Sequence, residues 1–259
     1  MFKILRTVTA ASGFGLLLVA LVATAVVRPT PAAAAPHRSG MHNVAADPYF
    51  LQACDLQGAL SHRCISQTVA AINHARARES MRKTKMVLPR NYANLTRAEQ
   101  AFVVINLERV NRGLRPIAGM LSRLNHVAKV SAVAELDPAP AMALLRRLGV
   151  HRYQVVWAHD YGVLAADYEW MYDDGFDGTL TTNLACLFAG ATGYWGHRKS
   201  ILQPFAGLPL VLGGVGAVRA ADGTDSVSAV LTGGYGAKPH FTYSWRKALA
   251  HGANGHRVR

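Results

Sequence analysis

Near residue 150 the apolar periodicity of the chain changes from that of helices to that of strands, and this change limits the fold more than any single motif. Before it, Cys64 to Met81 places Ile65, Val69, Ile72 and Ala75 at helical spacing. Thr96-Arg97-Ala98-Glu99 reads as a capping box, in which the threonine hydroxyl and the glutamate carboxylate each take one orphan backbone donor. The helix it opens runs on to Arg112, where Gly113 and Pro116 stop it. Leu121 to Leu136 and Ala141 to Leu148 read as two further helices. After the change, Tyr153 to Trp157, Leu208 to Val218 and Ser226 to Leu231 are strand candidates, the last two separated by the turn ADGTD. Leu164 to Gly175 reads as one helix among them, with Asp173 and Asp174 forming a turn before the glycine. Helices first and strands last favour an α+β layered fold over a doubly wound parallel sheet.

The N-terminus restricts where such a domain works. Lys3 and Arg6 precede an uncharged run from Thr7 to Val27, and small residues follow around Ala33 to Ala35. That order is the pattern of a secretory signal over residues 1–35, with an uncleaved membrane anchor as the alternative. Removal leaves 224 of the 259 residues, enough for one domain. Residues 36–46 lack an apolar period and read as a flexible lead-in, 47–237 as the domain, and 238–259 as an exposed, basic, disordered tail. In an oxidising compartment Cys54 and Cys64 are expected to pair, which leaves Cys186 over, with burial as its first reading.

The net charge of +13 loses three positive groups with the leader and stays strongly positive. It favours anionic partners such as a wall polymer or a lipid headgroup. Export and the lack of any nucleic-acid-binding signature argue against nucleic acid. The chain also lacks a G-x-S-x-G elbow, an H-E-x-x-H helix, a P-loop and a dinucleotide fingerprint, which removes the common hydrolase and nucleotide routes.

What remains is a concentration of histidine, acid and aromatic residues between Trp157 and His197. His197, after Gly196 and before Ile201-Leu202, is placed to present an imidazole to a cleft, where it could transfer a proton or bind a metal. A structural histidine is the plainer alternative.

INLERVNRGLRPI (Ile105 to Ile117), GYWGHRKSIL (Gly193 to Leu202), VLGGVGAV (Val211 to Val218) and SVSAVLTGGYG (Ser226 to Gly236) occur in an order that resembles the CAP superfamily, also called SCP-like or cysteine-rich secretory, antigen 5 and pathogenesis-related proteins, in the form exported by actinobacteria. The resemblance covers about residues 95–236. It implies an α-β-α sandwich with a central antiparallel sheet, and a cleft where two histidines and two acids can hold a divalent metal such as zinc. His197 falls on the family's second histidine position. The stretch YQVVWAHDYG offers no acid where the family has one, so the tetrad is not complete by motif. His159 stands in for the first histidine and Glu108 or Glu169 for an acid, each with an ordinary surface role as its alternative. The resemblance thus leads to two expectations. One is a binding domain whose cleft, around His197, His159, Trp170, Tyr172 and Trp195, takes a small apolar or cell-envelope ligand. The other is a hydrolase of peptide or cell-wall bonds that uses His197 with Glu108 or Glu169.

Overall fold

The computed structural model describes residues 49–79, 84–173, 196–234 and 239–253. The expected leader, the lead-in, Cys186 and Trp195 lie outside them. Among the described residues no helix is long and apolar enough to cross a membrane.

Two helices open the described chain, α1 (Tyr49–Gln57) and α2 (His62–Arg78). The first has no counterpart in the sequence reading. Cys54 and Cys64 form a disulfide between them, and the Ser61 hydroxyl caps α2 by accepting from the Cys64 N–H at 3.1 Å. A 3-10 turn at Tyr92–Asn94 leads to α3 (Arg97–Val110), which starts at the expected capping box. The Glu99 carboxylate accepts from the Thr96 N–H at 3.0 Å, and the Thr96 hydroxyl accepts from the Glu99 N–H at 3.3 Å.

Strand β1 (Gly119–Met120) is followed by α4 (Ser122–Ala134) and α5 (Met142–Arg147). Then come β2 (Arg152–Asp160), α6 (Val163–Tyr172), α7 (Gly196–Ile201), β3 (Val211–Arg219) and β4 (Asp225–Gly233). The five-stranded sheet has the order β2-β4-β3-β1-β5, where β5 is Tyr243–Ser244. β4 runs antiparallel to both neighbours, from Asp160↔Asp225 to Arg152↔Gly233 on one side and from Arg219↔Asp225 to Val211↔Gly233 on the other. β1 is parallel to β3 through Met120↔Gly213, so the sheet is mixed.

Side-chain alternation along the strands separates two cores. Val211, Val215, Val227, Ala229, Leu231, Val156 and Ala158 face a large cluster built on α2, α3, α6 and α7. Leu212, Val230 and Val155 point the other way, toward Leu124 and Ala128 of α4 and Leu144 and Leu148 beside α5. Helices on both faces of one sheet make an α+β fold of α-β-α layers.

The C-terminal stretch departs from the expected disordered tail. β5 pairs antiparallel with β1, and α8 (Trp245–Ala250) follows, with Trp245 and Ala248 buried. The apolar residues that dock this stretch, Tyr243, Trp245, Ala248 and Ala253, are too few to set up a period, so the composition resembles that of an exposed tail.

Candidate functional site

Glu108 is fully buried on α3. Arg76 of α2 forms an ion pair with it at 2.7 Å, Arg112 donates to its other oxygen, and the Tyr172 hydroxyl donates to it at 2.9 and 2.8 Å. Burial by itself would push this carboxyl up, but the two guanidiniums overcome that and hold it down at about 2. The network continues from Arg112 to Glu79 at 3.0 Å and from Glu79 to Arg198 of α7 at 2.7 Å. It ties α2, α3, α6 and α7 together through charge-assisted bonds. With both oxygens of Glu108 engaged, this carboxylate is a tie point of the fold and is not presented to a cleft.

Asp167 of α6 is fully buried near this network. Burial first, and then the charge of Glu108, push its carboxyl well above the usual range, against the smaller opposing pull of Arg76 and Arg112. Among the described residues no arginine forms an ion pair with it. Burial and the neighbouring charge thus favour the protonated form of Asp167 while the two guanidiniums favour the ionised form of Glu108.

Trp170 and Tyr172, expected on a ligand cleft, are core residues. The Trp170 indole donates to the Trp157 carbonyl at 2.9 Å, and Tyr172 is held by Glu108, Arg76 and Arg112. The cause is the position of α6, which packs against α2, α3, α7 and β2 and is buried along its whole length. Glu169, on the same helix, is buried too.

His197 opens α7 and is buried. Its helix is anchored on several sides. Arg198 donates to the Met171 carbonyl, the Ser200 hydroxyl donates to Gln154 of β2 at 3.1 Å, and Arg109 donates to the carbonyls of Ile201 at 2.5 Å and Gln203 at 2.9 Å. Asp137, in the turn after α4, is an acid that senses His197. Burial raises the Asp137 carboxyl and the charge of His197 opposes that rise. No motif marks Asp137, and the D-P-A-P sequence around it reads as a helix stop.

His159 lies elsewhere. It sits on β2 with Nε2 against the Thr224 hydroxyl and 3.5 Å from Asp222, and with Nδ1 3.7 Å from Glu135. Gln154, which meets α7, and His159 have opposite parity on β2, so they project from opposite faces of the strand. The structure therefore does not gather His159 and His197 on one face, and among the described residues no three His, Cys, Asp or Glu side chains converge to hold a metal ion.

A second acidic pair, not marked by any motif, occurs where β2 and β4 meet. Asp160 is in register with Asp225, and Asp225 is buried with Arg97 at 2.7 Å and Arg219 at 3.3 Å. Among the described residues Asp160 has no such arginine. Burial pushes its carboxyl up to about 7, against the Tyr161 N–H, which donates to it at 2.6 Å, and His159. No protein-family model matches this chain, and neither does any curated protein sequence.

Proposed function

We propose that this chain is an exported, CAP-like domain that binds a small apolar or cell-envelope ligand beside His197, where α7 meets edge strand β2. The supporting observation is the charge relation between His197, buried at the start of α7, and the Asp137 carboxyl from the far helix layer. The α-β-α layering agrees with the architecture that the resemblance implies, and the leader-like N-terminus supports export. Binding of purified protein to cell-envelope lipid and glycan fractions tests the reading. Retention should fall at least about tenfold for His197→Gln, the effect of losing one strong polar contact, and stay unchanged for His251→Ala on the exposed surface. Retention of no fraction by the wild type sinks the proposal, and thermal melts separate lost binding from lost fold.

The same pair of residues favours one second reading. A hydrolase of peptide or wall bonds would use His197 as the base, with Asp137, whose carboxyl feels the His197 charge, as the acid to test, since Glu108 is engaged in its ion pairs. Unchanged hydrolysis of peptide and wall substrates by His197→Gln and Asp137→Asn rules this out.

A further inference from the structure

β1 and the residues flanking it cover the outer edge of β3 from Val211, which accepts from the Ala118 N–H, to Gly213, in register with Met120. Beyond that point the Asn125 side chain takes over, its carbonyl oxygen accepting from the Val215 N–H at 3.1 Å. After Asn125, the strand has no neighbour on this side among the described residues. A cavity of about 550 Å³ opens there, with Val215, Gly216 and Ala217 along the strand and Ala98 of α3 opposite. N–H groups two apart on a strand point the same way, so the Ala217 N–H is directed to the same edge as that of Val215.

Arg97, His126 and Lys129 line this cavity. Among the described residues, the carboxylates of Glu99 and Asp225 lie near it through Thr96 and Arg97, and both are engaged. Glu99 is turned back onto the Thr96 N–H and hydroxyl at 3.0 and 2.9 Å. Asp225 has two arginines, Arg97 and Arg219, so this group of three carries a net positive charge. Lys129 forms no ion pair among the described residues and is exposed. A backbone donor, a lysine and a shared arginine around an apolar strip of strand set donors and positive charge beside apolar surface. The volume falls in the range of small-molecule sites.

We infer that this cavity binds a small organic phosphate, with the phosphate group between Lys129, Arg97 and His126 and the organic part along Val215 to Ala217. Its lining residues belong to the start of α3, to α4 and to β3, and none to α7 or β2. A phosphate of this kind is either a free small molecule or the headgroup of an anionic lipid, and one experiment separates the sources. Glycerol 3-phosphate and glycerol are titrated calorimetrically into the purified protein, and vesicles with and without phosphatidic acid are sedimented with it. Saturable heat with glycerol 3-phosphate and none with glycerol supports the site. Lys129→Glu should weaken it at least about tenfold, since it removes one charge-assisted contact and adds a repulsive charge. Co-sedimentation with phosphatidic acid vesicles that Lys129→Glu abolishes assigns the source to lipid, while binding confined to the soluble probe assigns it to a free molecule. No saturable binding in either arm, or the same affinity in wild type and Lys129→Glu, overturns the inference.

Discussion

The Tyr172 hydroxyl donates to Glu108 while accepting from Arg76 Nε and from Arg112, each at 3.1 Å, so one phenol on α6 completes an ion network centred on α3. All of these groups are buried, and a buried charge left without its partner is expensive. Tyr172→Phe should therefore lower stability by about 1–3 kcal/mol, the cost of leaving buried charged groups one hydrogen bond short. Glu108→Gln should cost about 3–5 kcal/mol because it takes the carboxylate away from the buried Arg76 and leaves Arg112 with Glu79 alone. Urea denaturation followed by circular dichroism measures both. A Glu108→Gln variant as stable as wild type would show that the carboxylate is dispensable to the fold.

Asp167 and Asp160 set the direction of the pH dependence. Both carboxyls are raised in the folded protein, so over a range of pH the native state keeps protons that the unfolded chain has released. Their contribution is fully present below the ordinary carboxylate value of about 4 and is lost as pH rises from there, for Asp160 through about 7. Glu108 works in the opposite sense, adding stability above its ordinary value that is lost as pH falls toward about 2. Asp167→Asn, uncharged at every pH, should flatten the fall in stability between pH 4 and 7. Urea midpoints taken across that range read the slope, and an identical slope in the variant would mean that Asp167 ionises normally.

Local chemistry was legible in the sequence, and long-range chemistry was not. The start of α3 depends on groups three residues apart, Thr96 and Glu99, and it is found where their order places it. β3 and β4 show their alternation within one strand length, and the resulting two-faced sheet follows. Arg112, four residues on, is a partner of Glu108 that the sequence can suggest, but a surface helix pair looks the same. The partners that bury it, Arg76 and Tyr172, come from 32 residues before and 64 after. Trp170 and Tyr172 looked like cleft aromatics because a helix buried on every side has no polar face to reveal its setting. Asp137 became notable only when a turn on one helix layer came near a helix of the other.

The Cys54–Cys64 bridge closes a short loop between α1 and α2, with a sequence separation of 10. Restricting the unfolded chain this way is worth about 2–3 kcal/mol on a loop-entropy estimate. Both sulfurs also lie against the buried Thr68 hydroxyl, 3.6 Å from Cys54 and 4.0 Å from Cys64, which ties the loop to the core. A Cys54→Ser, Cys64→Ser double variant should lose about that amount, and wild type in reductant should match it. Equal denaturation midpoints with and without reductant would mean that the bridge adds nothing to stability.

Gly214 and Gly216 test whether α4 and the sheet pack as closely as the layers require. A Cβ at Gly214 would lie 2.2 Å from the Leu124 carbonyl carbon, and one at Gly216 would lie 2.1 Å from the Lys129 nitrogen. These are backbone atoms of a helix, so a methyl group cannot be accommodated by a side-chain rotation. The helix must move off the strand, which opens the contact of Leu124 and Ala128 with Leu212 and Val230. Overpacking of this kind costs about 1–3 kcal/mol or more. Gly223, in the β3–β4 turn, provides the contrast. Its φ of +86° strains any L residue, yet the nearest atom beyond its chain neighbours is the end of the Arg219 side chain at 3.8 Å. Gly223→Ala should therefore cost about 1 kcal/mol from backbone strain alone. Thermal and urea denaturation of the three alanine variants should rank Gly216→Ala and Gly214→Ala as the less stable. If Gly216→Ala melts with the wild type, α4 does not rest on β3 at this distance, and Lys129 and Gly216 do not form a shared wall of the phosphate cavity.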